Sequence, residues 1–365
     1  MKIGIIGVRG VPNYHGGFEQ FAEFLSEYLA QKEHEVYVYN SHNHPYQEAL
    51  WKGVHIVHKY DPEYRIGTAG QFVYDLNCIL DARKRKFDII LQLGYTSSSI
   101  WYKLMPKTAI LVTNMDGLEW KRSKYSKKVQ EFLKIAERLA AMNSDYLVAD
   151  SIGIQNYLKE KYKKKSTYIA YGASLFDQDD FNVLDAYNLE KYNYNLLIAR
   201  MEPENNIEVI LDGVVESNNK QKFLVIGKND ANSFGKRLIT KYKNYTNIVF
   251  LGGVYNQNHL NNLRFFSNLY FHGHSVGGTN PSLLEAMASK ALIIANKNIF
   301  NEAILENNGF YFSNKNDVSN LLNSITKKEN IQKLEANFEK IDKEFNKQKI
   351  NSQYLQLFED LISLK

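Results

Sequence analysis

The chain has 365 residues, 44% of them hydrophobic, and a formal net charge of +5. That length and apolar content suit two domains, each with its own core. The mild basic balance is too weak alone to argue for a nucleic-acid partner, and the lone cysteine, Cys78, excludes any disulfide framework within the chain.

Residues 2–8 read as a buried strand, and the apolar positions Phe18, Phe21, Ala22, Phe24, Leu25, Tyr28 and Leu29 follow helical spacing. Short apolar runs recur at 35–39, 54–58, 88–93, 109–112 and 146–149. Helical stretches near 70–85, 98–104 and 125–141 separate most of them, a rhythm that predicts a doubly wound parallel sheet. Residues 168–170 read as its last strand, and Asp177-Gln-Asp-Asp180 as a polar connector. The rhythm restarts at 196–199, with further strands at 223–226, 248–251, 269–271 and 292–295. The predicted fold class is therefore α/β: two Rossmann-like domains, residues 1–175 and 176–346, facing a cleft at the carboxyl ends of their strands. A tail helix, about 347–365, carries Tyr354, Leu355, Phe358, Leu361 and Ile362 on one face. The opening residues Met1-Lys-Ile-Gly-Ile-Ile-Gly do not make a signal peptide, and no apolar run approaches the ~20 residues of a membrane helix. The expected location is cytoplasmic, with at most a peripheral attachment to the inner face of the cell membrane.

Five stretches can carry chemistry. The first strand-to-helix turn, Gly7-Val-Arg-Gly-Val-Pro-Asn-Tyr-His-Gly-Gly-Phe-Glu19, lacks the G-x-G-x-x-G dinucleotide fingerprint and ends in Gly16-Gly17. Arg9 and His15 in it are candidates for phosphate or acceptor contact. Asn114-Met-Asp-Gly-Leu-Glu-Trp120 follows a buried strand. Asp116 or Glu119 can accept a proton there, or Asp116-Gly117 is a turn and Glu119 a helix-start residue. Arg200 opens the second half, and a guanidinium suits bidentate phosphate contact. Phe250-Leu-Gly-Gly-Val-Tyr255 ends a strand, where Tyr255 can stack or is a tyrosine at the core edge. In His272-Gly-His-Ser-Val-Gly-Gly-Thr-Asn-Pro-Ser-Leu-Leu-Glu-Ala-Met-Ala288, Asn280 opens a helix with Pro281 at its first position. Backbone N–H groups and the helix dipole make that loop a ready site for a diphosphate, and Glu285 can reach ribose hydroxyls. As a first-turn residue facing a cleft, Glu285 is expected to contribute little to the core. Asp177-x-Asp179 reads as a solvated linker, and no Cys/His cluster has zinc spacing, so no metal site is expected.

The 272–288 segment resembles the donor-binding motif of GT-B glycosyltransferases of family 4, and the resemblance runs along nearly the whole chain. Glu285 matches the second glutamate of that family's pair, which grips the nucleotide ribose. The first falls at Gly277, so the residue that usually holds sugar hydroxyls is missing. Arg200 matches the diphosphate-clamping arginine, while Asn205 stands at the usual lysine. Near Asp116 the family's histidine is replaced by Met115. The Gly-Gly-Thr-Asn-Pro-Ser and Asn-x-Asp-Gly-Leu-Glu-Trp variants are similar to bacterial rhamnosyltransferases that build capsules, exopolysaccharides and O-antigens.

The resemblance implies a retaining hexosyltransferase moving L-rhamnose from dTDP-rhamnose onto a lipid-linked or oligosaccharide acceptor, with no metal or other cofactor. It assigns the donor to Gly16, Gly17, Arg200, Asn205, Val254, His274, Gly277, Gly278, Thr279, Asn280, Ser282, Leu283 and Glu285. Asp116 or Glu119 is catalytic in this reading, and the tail helix packs back on the first domain. The basic run Lys121, Arg122, Lys124, Lys127 and Lys128 implies peripheral contact with anionic lipid. Alternatives are another nucleotide-sugar enzyme of this fold, such as a 2-epimerase, and a catalytically silent nucleotide-sugar-binding partner of a polysaccharide assembly complex.

Overall fold

Strands such as Ile89–Leu93 are buried at every residue, the mark of a parallel sheet covered on both faces. The computed structural model, which describes residues 1–14, 16–122, 124–230 and 232–364, builds two such sheets. The candidate contact residue His15 lies outside the described residues.

The first sheet contains β1 (Lys2–Ile6), β2 (Glu35–Ser41), β3 (Leu50–Trp51), β4 (Val54–Lys59), β5 (Ile89–Leu93), β6 (Ile110–Asn114), β7 (Tyr146–Ala149) and β8 (Thr167–Tyr168), in the order β3-β4-β2-β1-β5-β6-β7-β8. All neighbours are parallel except the short β3 against β4. The second sheet contains β9 (Tyr194–Ile198), β10 (Lys222–Ile226), β11 (Ile248–Gly252), β12 (Leu269–His272), β13 (Ile293–Asn296) and β14 (Phe310–Phe312), in the order β11-β10-β9-β12-β13-β14. It is parallel throughout. In both sheets the strand order reverses at the first strand, between β1 and β5 and between β9 and β12. Crossovers leave such a point on opposite faces and open a crevice at the carboxyl ends of its two strands.

The first unit comprises residues 1–120, 125–171 and 347–365, and the second 121–124 and 172–346. The division therefore falls a few residues before the expected 175, and the segment 121–124 groups with the second unit. The core of the first includes Ile6, Tyr39, Tyr74, Cys78 and Phe87; that of the second includes Leu197, Ile210, Phe223, Phe271 and Ile294. The helix Lys347–Ser363 belongs to the first unit and buries Ile350, Tyr354, Phe358 and Leu361. Ser99–Leu104, read from sequence as helical, is a 3-10 helix. Among the described residues, no helix is long and apolar enough to cross a membrane.

Candidate functional site

In the second unit, both segments expected to meet a donor leave the switch-point strands. Arg200 follows β9 and is exposed. The glycine loop follows β12 and leads into the helix Pro281–Ala288. The two segments are stitched together. Ser275 donates to the Glu204 carbonyl from both its N–H, 3.1 Å, and its Oγ, 2.7 Å, and Asn206 Nδ2 donates to the Gly273 carbonyl at 2.8 Å. A Cβ on Gly273 would lie 2.0 Å from the Asn205 carbonyl oxygen, so only glycine permits this approach. From the other side, Asn298 and Asn301 each donate to the His274 carbonyl at 3.1 Å. The result is a shallow, open hollow lined by His274, Val276, Gly277, Asn280, Phe300 and neighbours.

Several expected contacts are used differently. Asn205, at the usual lysine position, is buried and donates its amide to the Arg200 carbonyl at 2.8 Å. It shapes the arginine's loop and adds no charge. The helix start does not present free N–H groups. Pro281 has none, Ser282 N–H donates to Asn280 Oδ1 at 3.0 Å, and Leu283 and Leu284 N–H donate to the Asn280 carbonyl. Anion contact on this side therefore falls to the glycine loop, with the dipole behind it. Gly277 has φ +129 and open space at its Cβ position. A glutamate could not sit on this backbone without strain.

Thr279 and Leu283 are buried, and Ser282 Oγ meets Tyr270 Oη at 2.9 Å. Val254 is half-buried beside Tyr255, which is 81% exposed after β11, separated from β12 by β10 and β9. Glu285 is the fifth residue of its helix and so lies in the second turn. It accepts a 2.6 Å bond from Arg264, a fully buried residue that sequence reasoning did not single out. The expectation that Glu285 contributes little to the core is thereby corrected.

Behind the loop, His272 is wholly buried and stacks on His274 with centroids 4.4 Å apart. Neither His272 ring nitrogen has a partner among the described residues. Desolvation, then Arg200 and Arg122, push His274 down to about 3, and desolvation also holds His272 well below its ordinary value. An unfolded histidine titrates near ~6.5, so below that pH the unfolded chain binds more protons and stability falls as pH drops toward 3. We expect His274→Asn to flatten the loss between pH 6.5 and 4.5 by about 1.4 kcal/mol per pH unit. Denaturant titration at several pH values measures this, and an unchanged slope would contradict it.

The first unit shows the corresponding arrangement at β1 and β5. Gly7 has φ +88, and a Cβ there would lie 2.2 Å from the Leu93 carbonyl oxygen. Arg9 is not available as a simple phosphate contact, because it makes a two-pronged pair with Glu63 at 2.9 and 2.8 Å. Gly16 precedes the helix Gly17–Gln31 in an extended conformation with no side-chain cap. Asp116 occupies the left-handed region, φ +46, and its N–H donates to Asn114 Oδ1 at 2.9 Å. Asn114 in turn donates to Tyr354 Oη on the tail helix at 2.9 Å.

Tyr171 joins these parts. Its hydroxyl donates to Asp116 Oδ1 at 3.4 Å, and its ring packs on Phe18 and Phe21 of the Gly17–Gln31 helix. Burial, reinforced by Asp116, raises the phenol well above its ordinary value and keeps it a donor. Glu119 starts a 3-10 helix, Glu119–Lys121. The neighbouring Trp120 donates to the buried Glu137, which also accepts from Tyr157, Lys161 and Tyr162. Of the basic run, Arg122 and Lys124 pair with Glu204 and Glu202. Lys127 and Lys128 are exposed. Asp177 and Asp179 are exposed, and no three His, Cys, Asp or Glu side chains converge on a metal position among the described residues.

Residues 182–345 match the family described as glycosyl transferases group 1, and residues 1–174 match a domain of unknown function, DUF1972. No curated protein matches the chain. Among solved structures it is similar to sucrose-phosphate synthase from Thermosynechococcus elongatus, with TM-score 0.81, 17% identity and 100% of each chain covered. Anabaena HepE in complex with UDP-glucose has TM-score 0.75 at 14% identity, covering 98% of this chain and 99% of that one. An α,α-trehalose-6-phosphate synthase from Burkholderia multivorans has TM-score 0.72 at 10% identity, covering 100% and 99%. At these identities the likeness establishes the fold. The chain has the GT-B fold, with a group 1 glycosyltransferase domain over residues 182–345 and a DUF1972 domain over residues 1–174.

Proposed function

We propose that this glycosyltransferase takes L-rhamnose from dTDP-rhamnose and adds it, with retention, to a lipid-linked glycan precursor of a surface polysaccharide. The observation that carries the donor assignment is the pairing of Arg200 and the glycine loop at the two carboxyl ends of the β9/β12 switch point. In this reading Arg200 and the loop 277–280 hold the charge that develops on the leaving diphosphate. Glu285 accepts from the free hydroxyl of the nucleoside's deoxyribose, and the hollow beside His274, Val276 and Phe300 takes the sugar. Asp116 accepts the proton of the acceptor hydroxyl, its geometry set by Asn114 and Tyr171. The diphosphate is neutralised by side chain and backbone, so turnover is expected to survive excess EDTA.

A thermal-shift screen of nucleotide sugars tests the donor, because a ligand raises apparent stability by mass action. Stronger stabilisation by UDP-glucose than by dTDP-rhamnose would overturn the rhamnose assignment. Diphosphate release that depends on membrane extract tests the acceptor class and separates the transferase from a silent binding partner.

Arg200→Ala and Asp116→Asn should divide the two half-roles. The arginine variant is expected to lose donor affinity by about tenfold or more, the worth of a charge-assisted contact. The aspartate variant should bind the nucleoside diphosphate as wild type does while turnover falls by roughly 100-fold, the scale of a lost general base. Calorimetry beside turnover assays reads both, and weakened donor binding in Asp116→Asn would remove its assignment to the acceptor.

We further propose that the helix Lys127–Asn143 meets anionic lipid through Lys127 and Lys128, beside exposed Val129 and Ile135. Each such lysine contributes about 1 kcal/mol at a charged surface and is screened by salt. Pelleting with phosphatidylglycerol vesicles at low salt should exceed that with neutral vesicles, and equal binding would dismiss the contact.

A further inference from the structure

Arg264 lies in the helix Gln257–Phe266 and is among the largest fully buried side chains of the protein, at 1% exposure. Its Nη2 donates to Glu285 Oε2 at 2.6 Å, and its Nη1 donates to Asn261 Oδ1 at 3.2 Å. The guanidinium carbon lies 6.0 Å from the Tyr270 ring centroid, and Nε has no partner among the described residues. The same Tyr270 reaches Ser282 on the helix that carries Glu285.

For packing alone this is a costly choice. Taking a guanidinium out of water costs several kcal/mol, and an apolar side chain of similar volume would fill the space more cheaply. The pair is also lopsided. The Arg264 side chain is 1% exposed, whereas that of Glu285 is 19% exposed and so partly open to solvent. A buried cation behind a partly exposed carboxylate does two things. It gives the carboxylate a fixed, charged hydrogen-bond donor, and it removes the rotamer freedom that an exposed glutamate would otherwise lose on binding a ligand.

We propose that Arg264 is a positioning residue for nucleotide recognition: it fixes the Glu285 carboxylate in the orientation that receives the free hydroxyl, or in UDP the two hydroxyls, of the nucleoside's pentose. The inference rests on the assignment of Glu285 to the ribose. Arg264 touches no substrate and acts only through Glu285. Selectivity for a nucleoside diphosphate over bare diphosphate is therefore partly set from inside the core.

The test uses the full-length chain and two kinds of probe: UDP and dTDP, which carry the sugar ring, and inorganic pyrophosphate, which does not. Calorimetry or competition is run on wild type, Glu285→Gln, Arg264→Lys, Arg264→Met and the double variant Arg264→Met with Glu285→Gln. Arg264→Met is expected to weaken both nucleoside diphosphates by about tenfold. Arg264→Lys keeps the charge without the fork and should weaken them less. Pyrophosphate affinity should stay within about twofold throughout, since Arg200 and the glycine loop are untouched. The double variant should bind no worse than Glu285→Gln alone, because the arginine acts through that carboxylate.

If Glu285→Gln loses affinity while folded Arg264→Lys and Arg264→Met bind as wild type, the positioning role fails and the ribose assignment stands. If Glu285→Gln itself binds as wild type, the ribose assignment fails and takes this inference with it. Equal losses for pyrophosphate and nucleoside diphosphates would overturn the proposal in favour of a structural role. Should Arg264→Met not fold, Arg264→Lys decides by the same ratio of nucleoside diphosphate to pyrophosphate affinity.

Discussion

Glu285→Gln is expected to lower affinity for the donor nucleotide by about 10- to 150-fold, the equivalent of 1.5 to 3 kcal/mol for a charge-assisted hydrogen bond. The loss should be larger for UDP, which offers two ribose hydroxyls, than for dTDP, which offers one. Unlike a typical rim substitution, this one should also cost stability. Arg264 is buried and donates to Glu285 at 2.6 Å, so neutralising the carboxylate leaves a guanidinium with weakened compensation. A destabilisation of about 1 to 3 kcal/mol is expected. Calorimetry and denaturant unfolding on the same preparation measure the two effects. Wild-type affinity in a folded variant would falsify the ribose assignment, and wild-type stability would show that the ion pair is energetically neutral.

Gly273→Ala should be the most damaging small substitution in the second unit. Its Cβ would meet the Asn205 carbonyl oxygen at 2.0 Å, the carbonyl carbon at 2.9 Å and Ile210 Cδ1 at 3.0 Å. Backbone cannot rotate out of the way as a side chain can, so the two loops must separate. Forced overpacking of this kind costs about 1 to 3 kcal/mol or more, a fall in melting temperature of several degrees for a domain of this size. Because those loops carry Arg200 and the glycines, donor affinity should fall with stability. Gly277→Ala is the control. Its Cβ meets nothing within 4 Å, so only the strain of φ +129 is added. If the two variants lose donor affinity equally, the close approach at Gly273 is not what aligns the loops.

The sequence rhythm marked most strands to within one or two residues, because buried parallel strands are continuous apolar runs. The strands it missed, Leu50–Trp51 and Phe310–Phe312, are too short to show any periodicity. The helices of the second half were less visible, although their starts are marked. Asn232, Asn256, Asn280, Asn298 and Asn314 each cap a helix with a side-chain oxygen. Only Asn280, with Pro281 behind it, was read that way. For the site, the backbone elements were legible and their side-chain partners were not. Asn205 appeared as a diphosphate donor because its position is the lysine's; that its amide turns inward to the Arg200 carbonyl is decided by the loop's path. Arg9 and Glu63 are far apart in sequence, and nothing local announces their pairing. Arg264 and Tyr171 were invisible for the same reason. Each acts through a residue brought alongside by the fold, and an arginine or tyrosine among apolar neighbours looks like many others.

The helix Lys347–Ser363 closes the first unit by giving Asn114 its Tyr354 partner and Phe21 a ring 5.0 Å away. The first unit is therefore discontinuous, with the whole second unit inserted between its parts. On the ribosome, residues 172–346 are complete and can fold while the first unit still lacks a wall of its core. The core of the first unit therefore cannot be completed until the residues that follow the second unit, Tyr354 and Phe358 among them, have been synthesised.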